Sequence, residues 1–86
     1  MNINELIKIV RSKLDANIVA QNIEIEDKSF LHKKHKGHQE GKFHLKLTIK
    51  SNDLDKLNKI EATKKVYSIL SAELKNYIHS IQILIN

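Results

Sequence analysis

One eight-residue run constrains this chain more than any other. From Phe43 to Lys50, the apolar residues Phe43, Leu45, Leu47 and Ile49 alternate with His44, Lys46, Thr48 and Lys50. That is the period-two pattern of a strand with one face on a core and the other in water. A sheet must therefore be present, and other elements must cover its apolar side.

Two helices are available for that cover. Ile3, Leu6, Ile7, Val10 and Leu14 recur at helical spacing, and Asn2 followed by Glu5 resembles a capping box. Asp15–Ala16–Asn17 is a plausible stop. A second long helix is expected from about Lys59 to Tyr77. Its apolar stripe is Ile60, Thr63, Val66, Tyr67, Leu70 and Leu74, and Asn58 with Glu61 repeats the capping pattern.

Two further strands complete the set. One spans about Ala20 to Asp27, where Ile23 and Ile25 alternate with Glu24 and Glu26; the other spans Ile78 to Ile85, with Ile81, Ile83 and Ile85 on one face. Between the first two strands runs a loop from Lys28 to Lys42 that holds His32, His35, His38 and both glycines, Gly37 and Gly41. At that length it exceeds an ordinary hairpin connection, which favours a functional or mobile segment.

The order is helix, strand, strand, helix, strand. The first two strands should pair antiparallel across the long loop. The helical crossover should make the second and third parallel, with right-handed connection, if they are neighbours. The expected fold class is α+β, an α-β-β-α-β chain with a three-stranded mixed sheet and both helices on one face. Parallel neighbours start at the same end of a sheet. His79, at the start of the third strand, should therefore lie beside His44 and the histidine loop. All five histidines of the chain then converge on one rim. Imidazole is the commonest protein metal ligand. His44 shares its face with Lys46 and Lys50 and reads as a solvated residue. His79 shares strand parity with Ile81, Ile83 and Ile85, and reads either as a ligand or as a partly buried histidine.

Composition narrows the function. A chain of 86 residues is one domain, too small for a deep enclosed pocket. It has no cysteine, so it offers no thiolate nucleophile and no self-sufficient iron–sulfur or four-cysteine zinc site. The start, Met1–Asn2–Ile3–Asn4–Glu5, does not read as a signal peptide, and no apolar stretch is long enough to span a membrane. A cytoplasmic location is expected. The formal charge is +5, from 15 Lys+Arg against 10 Asp+Glu, but Arg11 is the only arginine. Lysine holds phosphate only as a point charge, so nucleic acid is a secondary reading. Neither a G-x-S-x-G nor a Walker-type glycine loop occurs, and no nucleophile–base pair is evident; an enzyme is not expected.

These residues carry a family pattern. Phe43–His44–Leu45–Lys46–Leu47–Thr48–Ile49–Lys50–Ser51 resembles the T/S-H-F-x-V-x-I-V-S strand of BolA proteins. Val66–Tyr67 through Leu70 to Glu73–Leu74 is similar to that family's V-Y-x-x-L-x-x-E-L helix. Ile78–His79–Ser80–Ile81 is similar to its V/I-H-A-L strand start. Leu54 stands at its S-x-x-F aromatic. Upstream, Glu26–Asp27–Lys28–Ser29–Phe30 resembles D-E-S-Y, and His35–Lys36–Gly37–His38 resembles H-A-G-H.

The resemblance covers nearly the whole chain and implies a class II KH-like fold. It also implies an adaptor that binds a monothiol glutaredoxin, with a 2Fe–2S cluster bridging the pair and glutathione among its ligands. No cofactor is expected in the isolated protein, which would be a monomer or weak homodimer. The implied ligands on this chain are His79 and one loop histidine, ranked His38, then His35, then His32. A cluster needs four ligands, and two imidazoles here leave two thiols to the partner and glutathione. Imidazole must be deprotonated to bind, which would make such a cluster sensitive to pH.

The alternative is a KH-like nucleic-acid-binding transcriptional regulator. The family's R-H-R run is Ala62–Thr63–Lys64 here, leaving Lys64 and Lys65 as the phosphate-contact candidates. The two glycines are spaced G-x-x-x-G, not the G-x-x-G of a KH clamp. A third option is a simple zinc or iron buffer of His32, His35 and His38, which an irregular loop would not preorganise.

Overall fold

The computed structural model describes residues 2–29 and 43–86. Helix α1 spans Ile3–Asn17, strand β1 Asn22–Asp27 and strand β2 Phe43–Lys50. Three helices follow, α2 (Asn52–Asp55), α3 (Lys59–Ile69) and α4 (Ser71–Asn76), and strand β3 closes the chain at Ile78–Ile85. The sheet has the order β1-β2-β3. β1 runs antiparallel to β2, with Ile25 opposite Leu47, and β2 runs parallel to β3, with Leu47 opposite Ile83. The mixed sheet expected from the alternation is thus present.

Both expected caps form. The Asn2 side chain accepts from the Glu5 amide at 2.9 Å, and its amide group donates to the Glu5 carboxylate at 3.1 Å. Asn58 accepts from the Glu61 amide at 2.8 Å. The two bonds from the Glu5 and Glu61 amides each satisfy a donor that the helix itself leaves unpaired.

The core joins one face of the sheet to the helices. Leu45, Leu47 and Ile49 of β2 are buried with Leu6, Val10 and Leu14 of α1 and Ala62 and Val66 of α3. Ile81, Ile83 and Ile85 pack against the same cluster. Residues of the opposite parity, Lys46, Thr48 and Lys50, lie on the other face, opposite Glu26, Glu24 and Asn22.

The structure departs from the sequence reading in three places. The second long helix is two, because Leu70 has left α geometry (φ −99°, ψ 15°) between α3 and α4. The amide of Leu70 still reaches Val66 and its carbonyl still receives Leu74, so the chain bends without losing its hydrogen-bond ladder. The buried stripe is also rotated: Ala62, Val66, Leu70 and Glu73 point inward, while Ile60 is 68% exposed and Tyr67 is exposed. Lastly, α2 has no counterpart in the expected element order. Ser51 starts it by accepting from the Leu54 amide at 3.3 Å and donates in turn to the Val19 carbonyl at 2.7 Å. Asp53 accepts from the Val19 amide at 3.0 Å. The α1–β1 connection is thereby tied to the end of β2.

Ser51 is fully buried. Ser51→Ala is expected to cost about 1–3 kcal/mol, because it leaves the Val19 carbonyl and the Leu54 amide unpaired. Urea denaturation followed by far-UV circular dichroism measures this, and a loss below about 0.5 kcal/mol would contradict it.

Candidate metal-ligand site at the rim of the sheet

The chain leaves β1 at Asp27 and re-enters the sheet at Phe43, at the end where β3 begins. Phe43 pairs with Ile78, and its amide donates to the Tyr77 carbonyl at 2.9 Å. The next pair is His44 with Ser80. One step along β2 thus matches two along β3, and His79 is the extra residue. Such a bulge re-aims a side chain and is common at sheet rims.

Strand parity alone misleads for both histidines. His79 does not follow Ile81, Ile83 and Ile85 onto the core face; it is exposed. His44, expected to be solvated beside Lys46 and Lys50, is only 7% exposed. The two rings meet, with centroids 5.0 Å apart and planes tilted by 59°. The juxtaposition of His44 and His79 follows from the parallel pairing, as the topology implied.

His44 is fixed from several directions. Its amide donates to Ser29 Oγ at 3.0 Å, and its carbonyl accepts from the Lys28 amide at 2.7 Å. Its ring Nδ1 lies 2.6 Å from Ser80 Oγ, a hydrogen bond whose direction depends on the tautomer. Ser29 is itself buried, and its amide donates to Asp27 Oδ1 at 2.9 Å. Asp27 and Ser29 thus form an Asx-type turn that ends β1 and supports the next strand. His44 and Ser80, with Lys28, Lys46 and Gln82, line an open groove of about 300 Å³.

Ser29 and Ser80 were not singled out from sequence. Asp27-x-Ser29 is a spacing that allows an Asx-type turn, but nothing in the chain alone shows that Ser29 reaches a residue of the next strand. His32, His35 and His38 lie outside the described residues. Among the described residues, no group of three or more His, Asp or Glu side chains comes together to hold a metal ion. The donor set at this rim is one exposed imidazole with a second one buried behind it. That fits a minority share of a site whose other ligands come from elsewhere, since an iron–sulfur cluster takes four.

Lys64 and Lys65 are exposed on α3. Arg11 is engaged within the fold, donating to the Ile23 carbonyl at 3.0 Å. No helix among the described residues is long and apolar enough to cross a membrane.

Comparison with known proteins is consistent across sequence and structure. The family model described as "BolA-like protein" matches residues 14–86. A curated relative from Haemophilus influenzae, named "DNA-binding transcriptional regulator BolA", is 27% identical over 74 residues, covering 86% of this chain and 69% of its own length. The solved structure of BolA1 from Arabidopsis thaliana superposes with a TM-score of 0.79 at 27% identity, covering 92% of this chain and 87% of that one. The BolA domain of SufE1 from the same plant also gives 0.79, at 24% identity, covering 100% and 93%; at that identity it supports the fold alone.

Proposed function

This chain belongs to the BolA-like family, and from that premise we propose that it is a non-catalytic adaptor that binds a monothiol glutaredoxin. The pair would share a bridging 2Fe–2S cluster in iron–sulfur trafficking or iron regulation. His79 and one histidine of the β1–β2 connection would be this chain's ligands, with thiols of the partner and of glutathione supplying the others. The observation that carries this reading is the exposure of His79 as the extra residue of β3, at the rim where that connection joins the sheet. A bound cluster supplies redox and iron chemistry. This chain's task is to present His79 at the rim of the sheet and leave the remaining positions open.

Reconstitution with a monothiol glutaredoxin, iron, sulfide and glutathione tests the reading. Visible absorption and circular dichroism of the wild-type pair should differ from those of the glutaredoxin alone. His79→Ala should abolish that difference, and one of His38→Ala, His35→Ala or His32→Ala should weaken it. A spectrum unchanged by His79→Ala would remove His79 from the ligand set.

A second reading is favoured by the name of the Haemophilus influenzae relative and by the exposed Lys64 and Lys65. The scarcity of arginine weighs against it, because Arg11 is the chain's only guanidinium for a bidentate phosphate or base contact. If duplex DNA binds through α3, replacing both lysines with alanine should reduce the salt dependence of log K by about two phosphate contacts. An unchanged salt slope would exclude α3 as the contact.

A further inference from the structure

We infer that His44 is a positioning residue: with Ser80 and Ser29 it fixes the orientation in which His79 is presented. The metal-binding consequence rests on the adaptor reading; the orienting contact does not.

An exposed side chain on a strand rim ordinarily samples several staggered χ1 rotamers. A ligand that does so must be ordered again each time it binds, which lowers affinity. His79 has a neighbour that limits this freedom. The buried His44 ring stands 5.0 Å away at a tilt of 59°, within the range of favourable edge-to-face ring contacts.

That neighbour cannot easily move. Ser29 holds its amide at 3.0 Å, Ser80 holds its Nδ1 at 2.6 Å, and the Asp27 carboxylate holds Ser29. Ser80 matters twice, because it directly follows His79 in the chain. Its bond to His44 closes the sheet pairing on the far side of the extra residue, while Phe43 and Ile78 close it on the near side. His79 is therefore anchored on both flanks, with a fixed ring beside it. Outer-shell partners that orient metal-ligating histidines through hydrogen bonds typically cost about 10–100-fold in metal affinity when lost, and the ring contact is held to that scale here.

Two measurements test the inference on wild type, Ser80→Ala, Ser80→Thr and His44→Phe. Three-bond couplings in NMR spectra of the isolated chain report the χ1 populations of His79. Chelator-driven bleaching of the reconstituted glutaredoxin pair reports how firmly the cluster is held. The expected result is a single dominant His79 rotamer in wild type and Ser80→Thr, and averaging in Ser80→Ala. Cluster loss should be about 10–100-fold faster in Ser80→Ala and His44→Phe, with Ser80→Thr close to wild type.

Equal His79 rotamer populations in wild type and Ser80→Ala would overturn the inference. So would averaged rotamers with an unchanged bleaching rate. If His44→Phe fails to fold, Ser80→Ala decides alone. If His79→Ala leaves the cluster spectrum intact, His79 leaves the ligand set and the metal-binding consequence fails with it, while the rotamer measurement still decides whether His44 orients His79.

Discussion

Leu47→Ala is expected to remove about 3–5 kcal/mol of stability. Leu47 sits at the middle of the central strand, fully buried between Ile25 of β1 and Ile83 of β3. Strands on both sides and helices above leave its surroundings little room to collapse into the space, which puts the cost toward the upper part of that range. Domains of this size have about 5–10 kcal/mol in total, so the loss is a large fraction of the whole. The melting temperature should fall by roughly 15–30 °C. Thermal and urea unfolding read by far-UV circular dichroism measure it. Leu84→Ala is the control: Leu84 lies on the other face, 38% exposed, and its loss should stay below about 1 kcal/mol. Equal losses for the two leucines would show that the face assignment is wrong.

The second large effect concerns an ion pair across the helical layer. Lys13 Nζ on α1 lies 2.9 and 2.7 Å from the two carboxylate oxygens of Glu73 on α4. The Glu73 side chain is 7% exposed, while that of Lys13 is 38% exposed. Removing one partner should therefore be asymmetric. Lys13→Met strands a buried carboxylate and is expected to cost about 3 kcal/mol, at the low end of the range for broken buried pairs because one partner is partly solvated. Glu73→Met removes the buried charge and leaves a lysine that can extend into water, at a cost below about 1 kcal/mol. The double variant should return to within about 1 kcal/mol of wild type. A double-mutant cycle by urea denaturation measures all three. The idea fails if Lys13→Met proves no worse than Glu73→Met.

That pair also marks where sequence reading stops. Glu73 falls within the helical repeat of Val66 and Leu70, but a glutamate there reads as solvent-facing because its cation lies 60 residues earlier. Ile60 and Tyr67 are apolar and roughly in phase, so periodicity alone assigns them to the buried stripe. The structure buries Ala62 instead, where small size allows α3 close to its neighbours. Leu70 fits the repeat on both sides, so nothing local announces the bend; no proline or glycine occurs there.

By contrast, the β2 alternation and the two asparagine caps are short-range effects, and both appear as expected. So does the meeting of His44 and His79, because it depends only on strand direction. The exposure of one and the burial of the other are not legible. The exposure of His79 accompanies a one-residue slip, which the clean run Ile81–Ile83–Ile85 hides by extending its phase backwards over His79. The hydroxyls that hold His44 come from Ser29 and Ser80, 15 and 36 residues away, beyond the reach of periodicity.

The supernumerary position in β3 separates two demands that proteins usually struggle to meet together. Excising His79 would bring Ile78 and Ser80 into succession against Phe43 and His44, so every cross-strand partner would keep its match. No strand pairing depends on that imidazole, whose contact is with the His44 ring. Rim chemistry can therefore change at this position without shifting the register of the strands beneath it.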